Sequence, residues 1–211
     1  MRAGRLGAVR LFFVVTNAVV LGCGVAASAT ASASPQSALH AAVNATRRAS
    51  SFVLTVRQSG YRPPDSGDGG TLTVAYQAPD RYRSVQQLAS EPGVTVTIIQ
   101  IGRDHYQQDS AHPNSWMHNQ LPPGELGFGS LLARLFDGLA GAKHVTRVGN
   151  AFRVTVPSPS GGSPQVETVT IGHTYLTSVT TRTTIEGKTE VAKATFGHFG
   201  KVQTIRPPTN T

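Results

Sequence analysis

The chain has 211 residues, a formal net charge of +8, one cysteine, 39% hydrophobic and 14% charged residues. That length suffices for one ordinary domain with a buried core, and the single thiol excludes an internal disulfide framework. Only 11 acids are present, scattered along the chain, which excludes the paired-carboxylate signal of glycosidase chemistry.

The N-terminus reads as an export signal. Met1, Arg2, Arg5 and Arg10 form a cationic start, and Leu11, Phe12, Phe13, Val14, Val15, Ala18, Val19, Val20 and Leu21 an apolar segment. It closes on Gly22-Cys23. A small residue before a cysteine fits bacterial lipoprotein processing, in which the thiol takes a diacylglycerol and becomes the new N-terminus. The alternative is ordinary cleavage at Ala31-Ser32-Ala33, with Cys23 discarded. The strongly apolar stretch is only about 11 residues, whereas a membrane span needs about 20. Residues 1–22 are thus expected to be a signal peptide. Residues 23–34, small and without periodicity, are expected to be a flexible tether. Loss of three arginines from 19 cations leaves 16 against 11 acids, a charge of +5.

A helix is predicted next: Ser34 caps it, Pro35 fits its first turn, and Leu39, Ala42, Val43, Thr46 and Ala49 recur at helical spacing, with Arg47 and Arg48 near the C-terminal dipole. From Ser51 the period becomes two. Phe52, Leu54 and Val56 share one face, and Thr55 and Arg57 the other. Residues 62–70, rich in Pro, Gly and Asp, are a loop, and 71–77 alternate again through Leu72, Val74 and Tyr76. Pro79-Asp80 turn into a strand at 81–87. Residues 93–101 form a longer one, whose apolar phase moves from Val94, Val96 and Ile98 to Ile99 and Ile101, which predicts a bulge.

A strand containing Tyr106 and a polar loop over 109–115 precede Trp116. After Pro122, Pro123 and Gly124, the stripe Leu131, Leu132, Leu135, Phe136 and Leu139 predicts a second helix, ended by Gly141. Strands are then expected at 143–148, 151–156, 166–171, 175–185, 190–199 and 202–206. Gly149-Asn150 make a tight turn and 158–164 a looser one. The class is α+β, an antiparallel meander interrupted by a helix.

This organisation resembles the LolA-like lipoprotein-carrier superfamily, most closely the LprG and LppX type of actinobacterial envelope lipoproteins. The resemblance covers residues 35–208, expected to form a single lipid-binding domain. It is carried by an Ala-rich helix running into Ala49-Ser50-Ser51-Phe52, by Tyr76-Gln77-Ala78-Pro79-Asp80-Arg81, and by Ile101-Gly102-Arg103-Asp104-His105-Tyr106 with Trp116 downstream. The ending Phe199-Gly200-Lys201-Val202-Gln203-Thr204-Ile205-Arg206-Pro207-Pro208 completes it.

The resemblance implies a strongly curved antiparallel sheet, an open half-barrel with two main helices on its concave side. The gap between them would take lipid acyl chains. Phe52, Leu54, Val56, Leu72, Val74, Tyr76, Leu132, Leu135, Phe136, Phe152, Val154 and Val156 are the candidate lining. Alternation reports a buried face and not a void inside it, so the same residues equally describe a solid core. Two functions follow. One is a non-catalytic lipoprotein that holds lipid or lipoglycan at the outer face of the cytoplasmic membrane, anchored through Cys23. The other is a solid-cored module that binds an envelope protein or senses the envelope.

Other chemistries find little support. Asp104, His105, Asp109, His112 and His118 crowd one region, but not at the helical i, i+4 spacing of a zinc motif, so neither metal nor cofactor is expected. Ser130 lacks a nucleophile elbow and reads as a cap of the second helix. Gly67, Gly69 and Gly70 lack the Gly-Lys-Thr that completes a phosphate loop. Arg47-Arg48 are the only adjacent cations, with no basic stripe alternating with aromatics, so nucleic acid is not an expected partner.

Overall fold

The computed structural model describes residues 33–60, 70–88, 91, 93–157, 164–185 and 187–209. The expected signal segment, Cys23, the tether up to residue 32 and most of the two loops predicted at 62–70 and 158–164 lie outside the described residues.

Helix α1 runs over Pro35–Arg47. Ser34 Oγ accepts the Ser37 N–H at 3.1 Å, and Pro35 occupies the first turn, where a missing N–H costs nothing. Leu39, Ala42, Val43 and Thr46 make the buried stripe. Thr46 also ties α1 to the sheet. Its hydroxyl donates to Ala42 O at 2.8 Å and accepts the Leu176 N–H at 2.9 Å.

Among the described residues eleven strands follow: β1 (Ser51–Gly60), β2 (Gly70–Gln77), β3 (Arg81–Leu88), β4 (Thr95–Ile101), β5 (Asp104–Asp109), β6 (Met117–Gln120), β7 (Lys143–Val148), β8 (Ala151–Val156), β9 (Gln165–Ile171), β10 (Leu176–Ile185) and β11 (Lys188–Gly197), with α2 (Phe128–Ala140) between β6 and β7. They form one antiparallel sheet in the order β6-β5-β4-β3-β2-β1-β11-β10-β9-β8-β7. β1 and β11 pair at the centre, Leu54 opposite Phe196. The edge strands β6 and β7 are consecutive in sequence, and α2 connects them. The β7–β8 hairpin closes through Gly149 at φ 60° and Asn150, the left-handed backbone that a two-residue turn requires.

Register divides the sheet into two faces. Phe196, Leu54, Val74 and Ser84 form a row of direct cross-strand partners, flanked by the row Phe52, Tyr76, Tyr82. Beyond β11, Val179, Val169 and Phe152 continue this face. The helices pack here: Leu39 and Val43 of α1 and Leu132, Phe136 and Leu139 of α2 join these residues in one apolar cluster. The rings show how closely. Phe52 lies 4.9 Å from Tyr76, 5.7 Å from Phe196 and 6.4 Å from Phe136.

Three expectations are corrected. The register from Thr95 to Ile101 is continuous with both neighbours, so β4 has no bulge. Its apolar residues simply serve two faces, because residues 198–206 cross the face away from the helices and bury Ile99 there, 8% exposed, together with Ile205. Those residues are not a strand. Their backbone groups bond instead to side chains and to the start of β1: Gly200 N–H to Ser51 O at 3.0 Å, Ile205 N–H to Gln77 Oε1 at 3.0 Å, and Ile205 O from Arg81 at 2.8 Å. Ser130 does not cap α2 either, since the helix begins two residues earlier at Phe128, with Gly127 at its cap and no side-chain cap bond.

Candidate functional site

The site proposed from sequence is the helix-covered face, and all twelve predicted residues come together there. Phe52, Leu54, Val74, Leu132, Phe136, Phe152, Val154 and Val156 are buried in the common cluster, while Val56, Leu72, Tyr76 and Leu135 are half-buried against it. The distinction runs along the strands. Near α1 and α2 the face is packed solid, with Phe52 and Val74 each 1% exposed. Two residues further along, the direct partners Ala194, Val56 and Leu72 form a half-buried apolar row. That row continues through Gln86 to Val96, and Ile98 stands beside it on β4.

Several polar groups on this face were not predicted. Glu167 of β9 is 2% exposed and lies opposite Val154 of β8 and Thr181 of β10. Thr181 Oγ1 donates to it at 3.0 Å. Burial pushes its carboxyl up to about 7, the threonine bond opposing the shift. Ser84 Oγ, buried between Val74 and Ile98, has no hydrogen-bond partner among the described residues. Burial also pushes the Tyr82 hydroxyl up to about 12.

Gln100 organises the entrance to α2. Its Oε1 accepts the Phe128 N–H at 3.1 Å, and its Nε2 donates to Gly102 O at 3.1 Å and Leu126 O at 3.2 Å. Gly127 beside it has φ 50°, and a Cβ there would collide with the Gln100 amide. Glycine is therefore required twice over.

The histidine-rich region does not converge. His118 Nε2 and Asp104 Oδ1 are 3.0 Å apart, and the His118 ring stacks on Tyr106 at 4.5 Å. This bond holds the Asp104 carboxyl below its usual range. His105 occupies the next register position, opposite Asn119, so it faces away from His118. Among the described residues, no three His, Cys, Asp or Glu side chains come together in a metal-binding arrangement.

Two hollows open on the face away from the helices, and neither is lined by a predicted residue. One, of about 510 Å³, lies under residues 198–206 against Val53, Ala75, Arg83 and Ile99. The other, of about 300 Å³, is formed by Thr55, Arg57, Lys193 and Thr195.

This architecture is similar in fold to two mycobacterial lipoproteins of known structure. LppX from Mycobacterium tuberculosis superimposes with a TM-score of 0.51 at 16% identity, over 82% of this chain and 98% of that one. LprF from Mycobacterium bovis does so with a TM-score of 0.53 at 13% identity, over 82% and 96%. The resemblance to LppX-type proteins read from the sequence is borne out as a likeness of fold. No family model and no curated protein matches the chain. Among the described residues, no helix is long and apolar enough to cross a membrane.

Proposed function

We propose that the protein is a non-catalytic envelope lipoprotein that holds acyl chains of a lipid or lipoglycan on the helix-covered face of its sheet, anchored through diacylglycerol on Cys23 at the outer face of the cytoplasmic membrane. One observation carries this reading. The apolar face continues past the helices as the half-buried row Ala194, Val56, Leu72 and Val96, surface that the protein's own packing leaves incompletely covered.

The contacts of α2 support a concave shape for that face. Phe128 packs on Tyr82 of β3 at 6.1 Å, and a Cβ on Gly138 would lie 3.4 Å from Val156 of β8. Those two helix positions are about 15 Å apart along the axis. In a flat sheet β3 and β8, six strand spacings apart, would be about 29 Å apart. One short helix reaches both if the sheet curls around it.

The packed cluster around Phe52 shifts the expected ligand toward the strand ends. An acyl chain would lie on Val56, Leu72, Val96 and Ala194 with Leu135 opposite, and not between Phe52 and Phe136. A chain of ten carbons buries enough methylene, at about 0.8 kcal/mol each, to offset the ordering cost of binding.

Organic extraction of the purified protein followed by mass spectrometry tests the reading. A recurrent acyl lipid near one equivalent is expected. A lipid-free protein that reproducibly retains one envelope protein would replace it with the interaction module.

A further inference from the structure

The other face of the sheet has a contrasting composition. On β1, Thr55 and Arg57 lie directly opposite Thr195 and Lys193 of β11. Outside them, Thr73 and Thr71 of β2 continue the two rows on one side. Ser178 and Thr180 of β10 continue them on the other. Two unbroken rows of hydroxyls and cations therefore cross four adjacent strands, with no carboxylate among them. The one acid on these strands, Glu190, belongs by alternation to the opposite face, where it pairs with Gly60 and Thr183.

The pairing of Arg57 with Lys193 is itself unfavourable. Like charges directly opposite in an antiparallel pair destabilise it, and both side chains are exposed and without an ion-pair partner among the described residues. These two cations and the hydroxyls of Thr55 and Thr195 surround the hollow of about 300 Å³. Its donors converge from two strands. The guanidinium offers a planar fork, the ammonium a compact charge, and each hydroxyl a rotatable donor, a set that matches the several oxygens of a tetrahedral oxyanion.

We infer that this hollow is a binding site for a phosphate group, esterified or free, separate from the acyl-binding face. Arg57 and Lys193 neutralise the charge, and Thr55 and Thr195 donate to the remaining oxygens. The bound anion relieves the repulsion between the two cations, so occupancy stabilises the central strand pair.

The test is the melting temperature of the full-length protein in inorganic phosphate and in glycerophosphoglycerol, each against sodium chloride at equal ionic strength. Saturation with at least one is expected to raise melting by about 5 °C or more. A rise with the diester alone identifies a lipid headgroup or polymer phosphodiester as the source; a rise with phosphate alone identifies free phosphate. Lys193→Glu, which turns the repulsive pair into an attractive one, is expected to melt at or above the parent in chloride and to lose the phosphate increment. Arg57→Gln provides a second route to the same loss, and Arg182→Gln on the same face should keep the increment. No increment with either probe, or an increment that survives in both Lys193→Glu and Arg57→Gln, overturns the site.

Discussion

The side-chain oxygen of Gln100 accepts the backbone N–H of Phe128 at 3.1 Å, so a residue of β4, the third strand from one edge of the sheet, caps the helix that joins its two edges. The amide nitrogen of the same side chain bonds to Gly102 O and Leu126 O. Gln100→Leu leaves one donor and two acceptors without this partner, each worth about 1 kcal/mol or more when buried. A loss of about 2 to 3 kcal/mol is expected in urea unfolding, with hydrogen exchange accelerated first in α2. A variant as stable as the parent would show that the cap is dispensable.

Glu167 should give stability an unusual pH dependence. Its folded pKa of about 7 lies above the ordinary 4.5, so the native state holds the proton more tightly than the unfolded chain. The stability it contributes is full below about pH 4.5 and is lost as pH rises through 7, an effect of order 3 kcal/mol. Glu167→Gln is expected to flatten that slope and to melt higher than the parent at pH 8. Parallel pH profiles for the two proteins would contradict the assignment.

Core and proposed ligand surface should respond oppositely to substitution. Phe52, buried among four aromatic rings, is expected to cost about 3 to 5 kcal/mol as Phe52→Ala. Val74, equally buried, would be overpacked by tryptophan. Leu72→Trp, in the half-buried row, is instead expected to melt within about 2 °C of the parent and to lose acyl-lipid binding. A large destabilisation by Leu72→Trp would mark that row as packed core.

Anchoring is tested separately. Cys23→Ala is expected to move the protein from the membrane fraction to the soluble fraction. Retention with an intact N-terminus would mean an uncleaved anchor, and release of the parent protein itself would favour cleavage near Ala33.

Much of this was legible in the sequence because burial follows period. The alternation of Phe52, Leu54 and Val56 with Thr55 and Arg57 placed each residue on its observed face, and the stripe through Leu132, Phe136 and Leu139 located α2. What was not legible depends on contacts distant in sequence. Ile99 looks out of phase until residues 198–206 are seen to cover it. Gln100 and Glu167 read as ordinary polar residues of alternating strands, and only partners 28 and 14 residues away make them buried and bonded. The Arg57–Lys193 pair had one available signal, the solvent-face alternation of each strand. Nothing local revealed that β1 and β11, at opposite ends of the sequence, are neighbours.

The central claim is that an acyl chain lies on the helix-covered face beyond the packed core. Photo-crosslinking of the full-length protein with a diazirine-bearing palmitate, followed by peptide mass spectrometry, locates the chain directly. Labels on peptides containing Val56, Leu72, Val96 or Ala194, suppressed in Leu72→Trp, are the predicted result. Labelling confined to the opposite face, or none above a denatured control, would contradict it.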